Sequence, residues 1–376
     1  MFGDPNRVRE ARVFARPFGT NSLQLIFEPA VDGPARERIA RRLICAYQLA
    51  VQDARSATMQ AADSDLWTAI VAQHMPELVA LLDSADATGL ARFLQRFGSE
   101  YTWFGGLTLG LDGYFRARDA GELASLYADK LACLAEAVGA APRECPEQGD
   151  YAVLPGRPVD ELVAAIEQAI GITIEPPRGA VYTVGLSSLR GPLYYRHFNA
   201  LYAALLTVGI GKRICEFGAG LGLTAMYARR LGAANHTIFD LPLVNVIAGN
   251  YLLCTLGENA VSLYREPDIA GGVRVLPFWT CCEQPAHRFD VALNQDSFPE
   301  IDESLVRRYL DEIARTTTGH LISINQEAQA PMSGARRHLW VARLLRGDRR
   351  FARVRRSPYW LREGYVEEIY RLQAGD

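Results

Sequence analysis

Apolar residues recur at helical spacing through the first half of the chain, then give way to short apolar runs separated by helical segments. Residues 35–55 place Ile39, Leu43, Ile44, Tyr47, Leu49 and Ala50 near a 3.6-residue period, which predicts an amphipathic helix. Stretches 63–82, 86–97, 120–138 and 158–170 read the same way, with Ser64 and Asp65 as caps of the first and Asp160 near the start of the last. Residues 1–34 carry no helical period. There, 7–18 and 21–28 are expected as a short hairpin or an arm, packed on a second copy of the chain or locally. Tyr101, Trp103, Phe104, Gly105 and Gly106 form an aromatic and glycine cluster that lines a pocket or packs helices, and proline-bearing 139–157 is a loop.

Paired prolines and a glycine at 175–179 mark a boundary. Residues 186–192 read as a turn and 193–208 as a helix. Strands are expected at 213–217, 236–240, 273–280, 289–294 and 320–324, with helices at 224–231, 242–256, 304–316 and 336–345. Residues 351–355 and 366–372 are expected to close the sheet as an antiparallel pair. Strands alternating with helices predict a parallel sheet covered on both faces. The expected fold is therefore α/β and Rossmann-like over 176–376, preceded by a mostly helical domain over 1–175.

The chemistry centres on Arg213-Ile214-Cys215-Glu216-Phe217-Gly218-Ala219-Gly220-Leu221-Gly222-Leu223-Thr224-Ala225. A buried strand runs through a glycine turn into a helix, which presents backbone N–H groups at the sheet mouth. The dinucleotide fingerprint needs a glycine where Leu223 stands. Glu216, two residues before Gly218, would repel a diphosphate and suits a ligand with an ammonium group. Asp240 follows 24 residues after Glu216, where a carboxylate can accept both ribose hydroxyls. An ammonium anchor plus a ribose anchor fits S-adenosyl-L-methionine better than NAD.

The stretch resembles motif I of the class I S-adenosylmethionine-dependent methyltransferases. Leu241-Pro242 after Asp240 resembles the Asp-Leu-Pro of small-molecule O-methyltransferases. Asn294-Gln295-Asp296-Ser297-Phe298-Pro299-Glu300, followed by Tyr309, resembles the bacterial sugar O-methyltransferase group. The resemblance covers roughly residue 182 to the C-terminus. It implies O-methylation of a small molecule, a sugar or a sugar-bearing natural product, in natural product biosynthesis. It also implies a helical N-terminal domain that supplies substrate contacts and a homodimer surface.

Methyl transfer from a sulfonium is an in-line displacement, and a neutral alcohol must also lose a proton. Asp296 and Glu300 follow the fourth expected strand; Asn325, Gln326 and Glu327 follow the fifth; His197 and His338 flank the region. Asp296, His197 and Glu327 are the candidate catalytic residues. Cofactor contacts are expected from Glu216, Gly218, Gly220, Gly222, Asp240, Leu241, Asn294 and Gln295, from Phe278 as an adenine-stacking ring, and from Tyr195 or Arg190 at the methionine carboxylate. Asp296 with Glu327 could hold magnesium, but no dense ligand cluster supports a metal. Other readings are N- or C-methylation of an amino acid, peptide or nucleoside, an NAD-dependent oxidoreductase, and a catalytically silent binding subunit.

Composition narrows the setting. The formal charge of −3 and the lack of a basic-aromatic pattern argue against nucleic acid. No apolar leader or membrane-length run is present in the sequence, and none of the seven cysteines forms a C-x-x-C pair, which points to a reduced cytoplasmic setting. Only Lys130 and Lys212 are lysines among 40 basic residues, a bias suggesting a bacterial, high-GC source. Residues 336–356 hold nine arginines against Asp348, either as a solvated surface or facing an anionic acceptor.

Overall fold

The computed structural model describes residues 22–24, 33–57, 59, 75–95, 130–142, 158–177, 180–184, 187–191, 196–327, 338–362 and 364–373. Contacts divide the chain into two compact units, Met1–Pro29 with Gln95–Tyr202, and Ala30–Leu94 with Ala203–Asp376. The division differs from the one expected at 175/176, because residues 30–94 pack with the C-terminal region.

The first unit contains a three-stranded antiparallel sheet, β1 (Ser22–Gln24), β2 (Ala180–Val184) and β3 (Ser187–Gly191). Residues expected as a turn thus pair as β3, because their backbone groups find partners along β2 from Val184↔Ser187 to Ala180↔Gly191. Residues 130–137 are helical. A further helix, Val159–Ile170, buries Val159, Leu162 and Ile166, carries Asp160 and Glu161 in its first turn, and ends at Gly171 in the left-handed conformation. The cluster at 101–106 and most of the loop 139–157 lie outside the described residues.

The second unit begins with α1 (Gly33–Ala54), α2 (Pro76–Asp83) and α3 (Ala87–Gln95, whose last residue falls in the first unit). We number Val159–Ile170 as α4. Helix α5 (Arg196–Ile210) crosses the division between the units after Tyr202. There follow β4 (Arg213–Phe217), α6 (Leu223–Arg230), β5 (Asn235–Asp240), α7 (Pro242–Leu256), β6 (Val261–Ser262), β7 (Val273–Pro277), β8 (Phe289–Gln295), α8 (Glu303–Thr316), β9 (Thr317–Gln326), α9 (Val341–Leu345), β10 (Phe351–Pro358) and β11 (Tyr365–Leu372). The sheet order is β10-β11-β9-β8-β4-β5-β7-β6. Strands β6, β7, β5, β4, β8 and β9 pair in parallel, and β11 enters antiparallel between β9 and β10.

From β4 the chain steps outward to β5 and on to the edge strand β6, comes back one place to β7, then returns to β8 and steps the other way. Right-handed crossovers therefore put α6 and α7 on one face and α8 on the other. The core agrees: Cys215, Phe217 and Phe239 pack with Tyr309, Leu310 and Ile313 of α8. The architecture is α/β and Rossmann-like, with its switch point between β4 and β8. The antiparallel closing pair stands as expected.

Helix α1 belongs to this unit through both packing and charge. A Cβ on Gly249 of α7 would lie 2.9 Å from Leu43 Cδ2, so the two helices approach closely. Arg42 grips the Glu266 carboxylate with Nε and Nη2 at 2.8 and 2.7 Å, and Nη2 also donates to the Val261 carbonyl. No helix among the described residues is long and apolar enough to cross a membrane.

Candidate functional site

The centre of β4 is buried on both sides through Ile214, Cys215, Glu216 and Phe217, as a central parallel strand requires. Beyond it, Gly218, Gly220 and Gly222 adopt φ of 75°, 57° and 83°. Such angles favour glycine. At Gly218 an added Cβ would meet Ser297 Oγ at 2.1 Å, and at Gly222 it would meet Leu252 Cδ1 at 2.9 Å. The loop is bound to the next strand by Gly218 N–H donating to the Phe239 carbonyl at 3.0 Å.

Asp240 ends β5 beside this loop, half-buried. Its Oδ2 accepts from Gly220 N–H at 3.2 Å and its Oδ1 from Leu241 N–H at 2.8 Å. Asn245 of α7 holds the Asp240 carbonyl through Nδ2 at 3.1 Å. Desolvation pushes the Asp240 carboxyl up to about 7 against the opposing effect of the backbone N–H groups, and the negative charge of Glu216 adds to the rise. Leu241, half-buried, packs on the core beside it.

Glu216 is 2% exposed and faces inward with His236, which is fully buried. The two are joined by His236 Nε2 and Glu216 Oε2 at 2.9 Å. Among the described residues, no lysine or arginine pairs with Glu216 or Asp240. The loop thus borders the Asp240 carboxylate, while Glu216, two residues before Gly218, lies buried with His236, and neither has a neutralising lysine or arginine among the described residues.

Across the switch point the polar groups are tied together. Asn294 Nδ2 donates to the Phe217 carbonyl at 2.8 Å and to Ser297 Oγ at 2.5 Å. Asn325 Nδ2 donates to Asn294 Oδ1 and to Ser323 Oγ, both at 2.9 Å, and Asn325 Oδ1 accepts from Asp296 N–H at 3.0 Å. Every amide hydrogen of both side chains is used. Asn294, expected as a cofactor contact, is instead a buried strut between the ends of β4, β8 and β9. Gln295 sits half-exposed at the end of β8.

Asp296 has a φ of 66°, uncommon for a residue other than glycine. Its carboxylate accepts from Arg362 Nη1 and from the Tyr365 hydroxyl. The Arg362 guanidinium lies 3.9 Å from the centroid of the Tyr365 ring. Glu327 accepts from Arg356 at 2.8 Å and from Trp340 Nε1 at 2.6 Å, and these donors hold its carboxyl below the usual range. Both expected bases are therefore committed to donors inside the fold. His197 is buried in the first unit. Arg190 lies on β3 with its side chain outside the described residues, as is Tyr195.

Phe278 requires a correction. Strand β7 stops at Pro277, and a 3₁₀ turn tucks the ring into the core at 4% exposure, edge-on to Trp279 and Tyr309. Burial of the aromatic surface wins over presentation to a ligand. Part of the arginine-rich stretch is paired internally: Arg350 pairs with Asp348 and Asp311, Arg353 and Arg356 with Glu368, and Arg355 with Glu367. Arg362 and Tyr365 carry no local motif, and sequence reading missed them; only the closing hairpin carries them to Asp296.

No family model matches the chain, and no curated protein matches it. Solved structures do. An N1-methyltransferase from Burkholderia thailandensis, solved with 1,6-didemethyltoxoflavin and S-adenosylhomocysteine, is 20% identical over 46% of this chain and 78% of its own, with a TM-score of 0.35. Magnesium protoporphyrin IX methyltransferase from Synechocystis, with S-adenosylhomocysteine bound, is 12% identical over 47% and 83%, with a TM-score of 0.35. The [4+2]-cyclase SpnF is 16% identical over 50% and 84%, with a TM-score of 0.38. Likeness of this extent leaves the functional reading to the residues of the site.

Proposed function

We propose that this protein is an S-adenosylmethionine-dependent methyltransferase acting on a hydroxyl of a small molecule, a sugar or sugar-bearing natural product. One observation carries the cofactor: a positive-φ glycine loop bonds Asp240 and follows the buried Glu216, with no lysine or arginine paired to either among the described residues. That field suits a ligand with net positive charge and opposes a diphosphate. The cofactor, when bound, supplies a methyl group on a sulfonium for in-line displacement. Asp240 would accept the ribose hydroxyls, Glu216 would meet the ammonium, and the glycines admit the ligand close to the backbone.

Acceptor binding is assigned to the ends of β8 and β9, beyond Gln295 and beside Asp296. There Asp296 orients the Tyr365 hydroxyl, and Tyr365 would contact the acceptor oxygen. A second reading, transfer to nitrogen or carbon, is favoured by one observation: Asp296 and Glu327 are both ion-paired, and a neutral amine needs no strong base. A second copy of the chain remains our proposal for its partner.

Calorimetry with S-adenosylmethionine, S-adenosylhomocysteine and NAD in parallel tests the cofactor. Micromolar binding of the first two and none of NAD is expected; binding of NAD alone would overturn the assignment. Product mass spectrometry with fragment localisation then separates oxygen from nitrogen and carbon acceptors. Cofactor binding without turnover on any acceptor would point to a silent binding subunit.

A further inference from the structure

The acidic anchor of the glycine loop is itself held in place. Strands β4 and β5 pair in parallel with Ile214 opposite His236 and Glu216 opposite Ile238. Side chains two residues apart share a face of a strand, so Glu216 and His236 project together toward the α6 and α7 side. His236 is 0% exposed and Glu216 2%. Their contact, Nε2 to Oε2 at 2.9 Å, is the only hydrogen bond either side chain makes among the described residues.

Burying a carboxylate without a donor is costly. Among the described residues no arginine or lysine shares the task; the nearby charge on the same face is Asp240, which is itself acidic and is raised in part by Glu216. The imidazole is therefore what holds the Glu216 side chain. The bonding also assigns the tautomer. With Nε2–H donating to Glu216, Nδ1 is a bare nitrogen, and it is buried without a partner.

We propose that His236 is a positioning residue for the amino-acid end of the cofactor. Its Nε2–H fixes Oε2 of Glu216, and Oε1 is thereby presented to the ligand's ammonium. The inference rests on the cofactor reading above. It assigns to a buried histidine, which touches no ligand, a share of cofactor affinity confined to one end of that ligand.

The test uses two probes on the full chain. S-adenosylhomocysteine carries the ammonium; 5′-methylthioadenosine keeps the adenine and ribose and lacks it. His236→Phe keeps a ring of similar size without a donor, and His236→Gln restores a donor. Calorimetry should find S-adenosylhomocysteine weakened about tenfold or more by His236→Phe, 5′-methylthioadenosine changed by less than about threefold, and both near wild type in His236→Gln. If His236→Phe fails to fold, as judged by its melting transition, His236→Leu takes its place. Equal loss of both probes, no loss of either, or no recovery with glutamine overturns the proposal. A wild-type protein that binds 5′-methylthioadenosine as tightly as S-adenosylhomocysteine also overturns it. Failure of the wild type to bind either probe removes the cofactor reading, and this inference with it.

Discussion

Gly220 donates its backbone N–H to the Asp240 carboxylate at 3.2 Å, closing the loop after β4 onto the end of β5. The carboxylate that would receive a ribose is thus already ordered by backbone, and its burial holds it at about 7.

The first prediction is a pH dependence. A ribose donates to Asp240 best when the carboxylate is ionised. Affinity for S-adenosylhomocysteine should fall as pH drops below about 7, and the trend should vanish in Asp240→Asn, which should also bind about 100-fold more weakly or worse. Calorimetry between pH 5.5 and pH 8.5 (about one and a half units on either side of the transition) checks both.

Stability should run the other way. The Asp240 pKa is raised by folding, so the folded state binds this proton more tightly than the unfolded chain. The group costs no stability below its unfolded value near 4, costs progressively more as pH rises to about 7, and stays costly above that. Asp240→Asn should therefore melt higher than wild type at pH 8, by about 2–4 °C for each kcal/mol recovered, with the gap closing toward pH 4.

Gly218→Ala meets two obstacles, a φ of 75° and Ser297 Oγ at 2.1 Å from the new methyl. A loss of about 1–3 kcal/mol in urea unfolding and of cofactor affinity is expected. Ser297→Gly should relieve the collision and return only part of the loss, because the backbone angle is unchanged.

Asn294→Leu removes a strut that engages Phe217, Ser297 and Asn325. Orphaning those partners should cost about 1–3 kcal/mol each, less whatever they regain among themselves. Chemical denaturation measures the total. An unchanged unfolding midpoint would mean that the ladder is not formed.

The acceptor side should separate from the cofactor side. Tyr365→Phe and Arg362→Gln should leave S-adenosylhomocysteine affinity within about threefold of wild type. Turnover on an acceptor found by product screening should fall about tenfold or more. The Asp240 substitutions predict the reverse pattern, with affinity lost first.

The repeating strand and helix pattern after residue 211, the glycine loop and the carboxylate at the end of β5 were legible in the sequence. The physical reason is local: a buried strand needs a continuous apolar run, a left-handed turn favours glycine, and both leave their mark within a few residues. Helix α1 was legible as a helix for the same reason. Tertiary structure alone decided that it packs on α7, that Phe278 turns into the core, that 187–191 pair as a strand, and that Asp296 meets Arg362 and Tyr365 far along the chain. It also decided that Glu216 is held by His236. Those outcomes depend on strand order and register, which bring distant segments together, and a side chain's neighbours across a sheet are set by that pairing rather than by its neighbours in sequence.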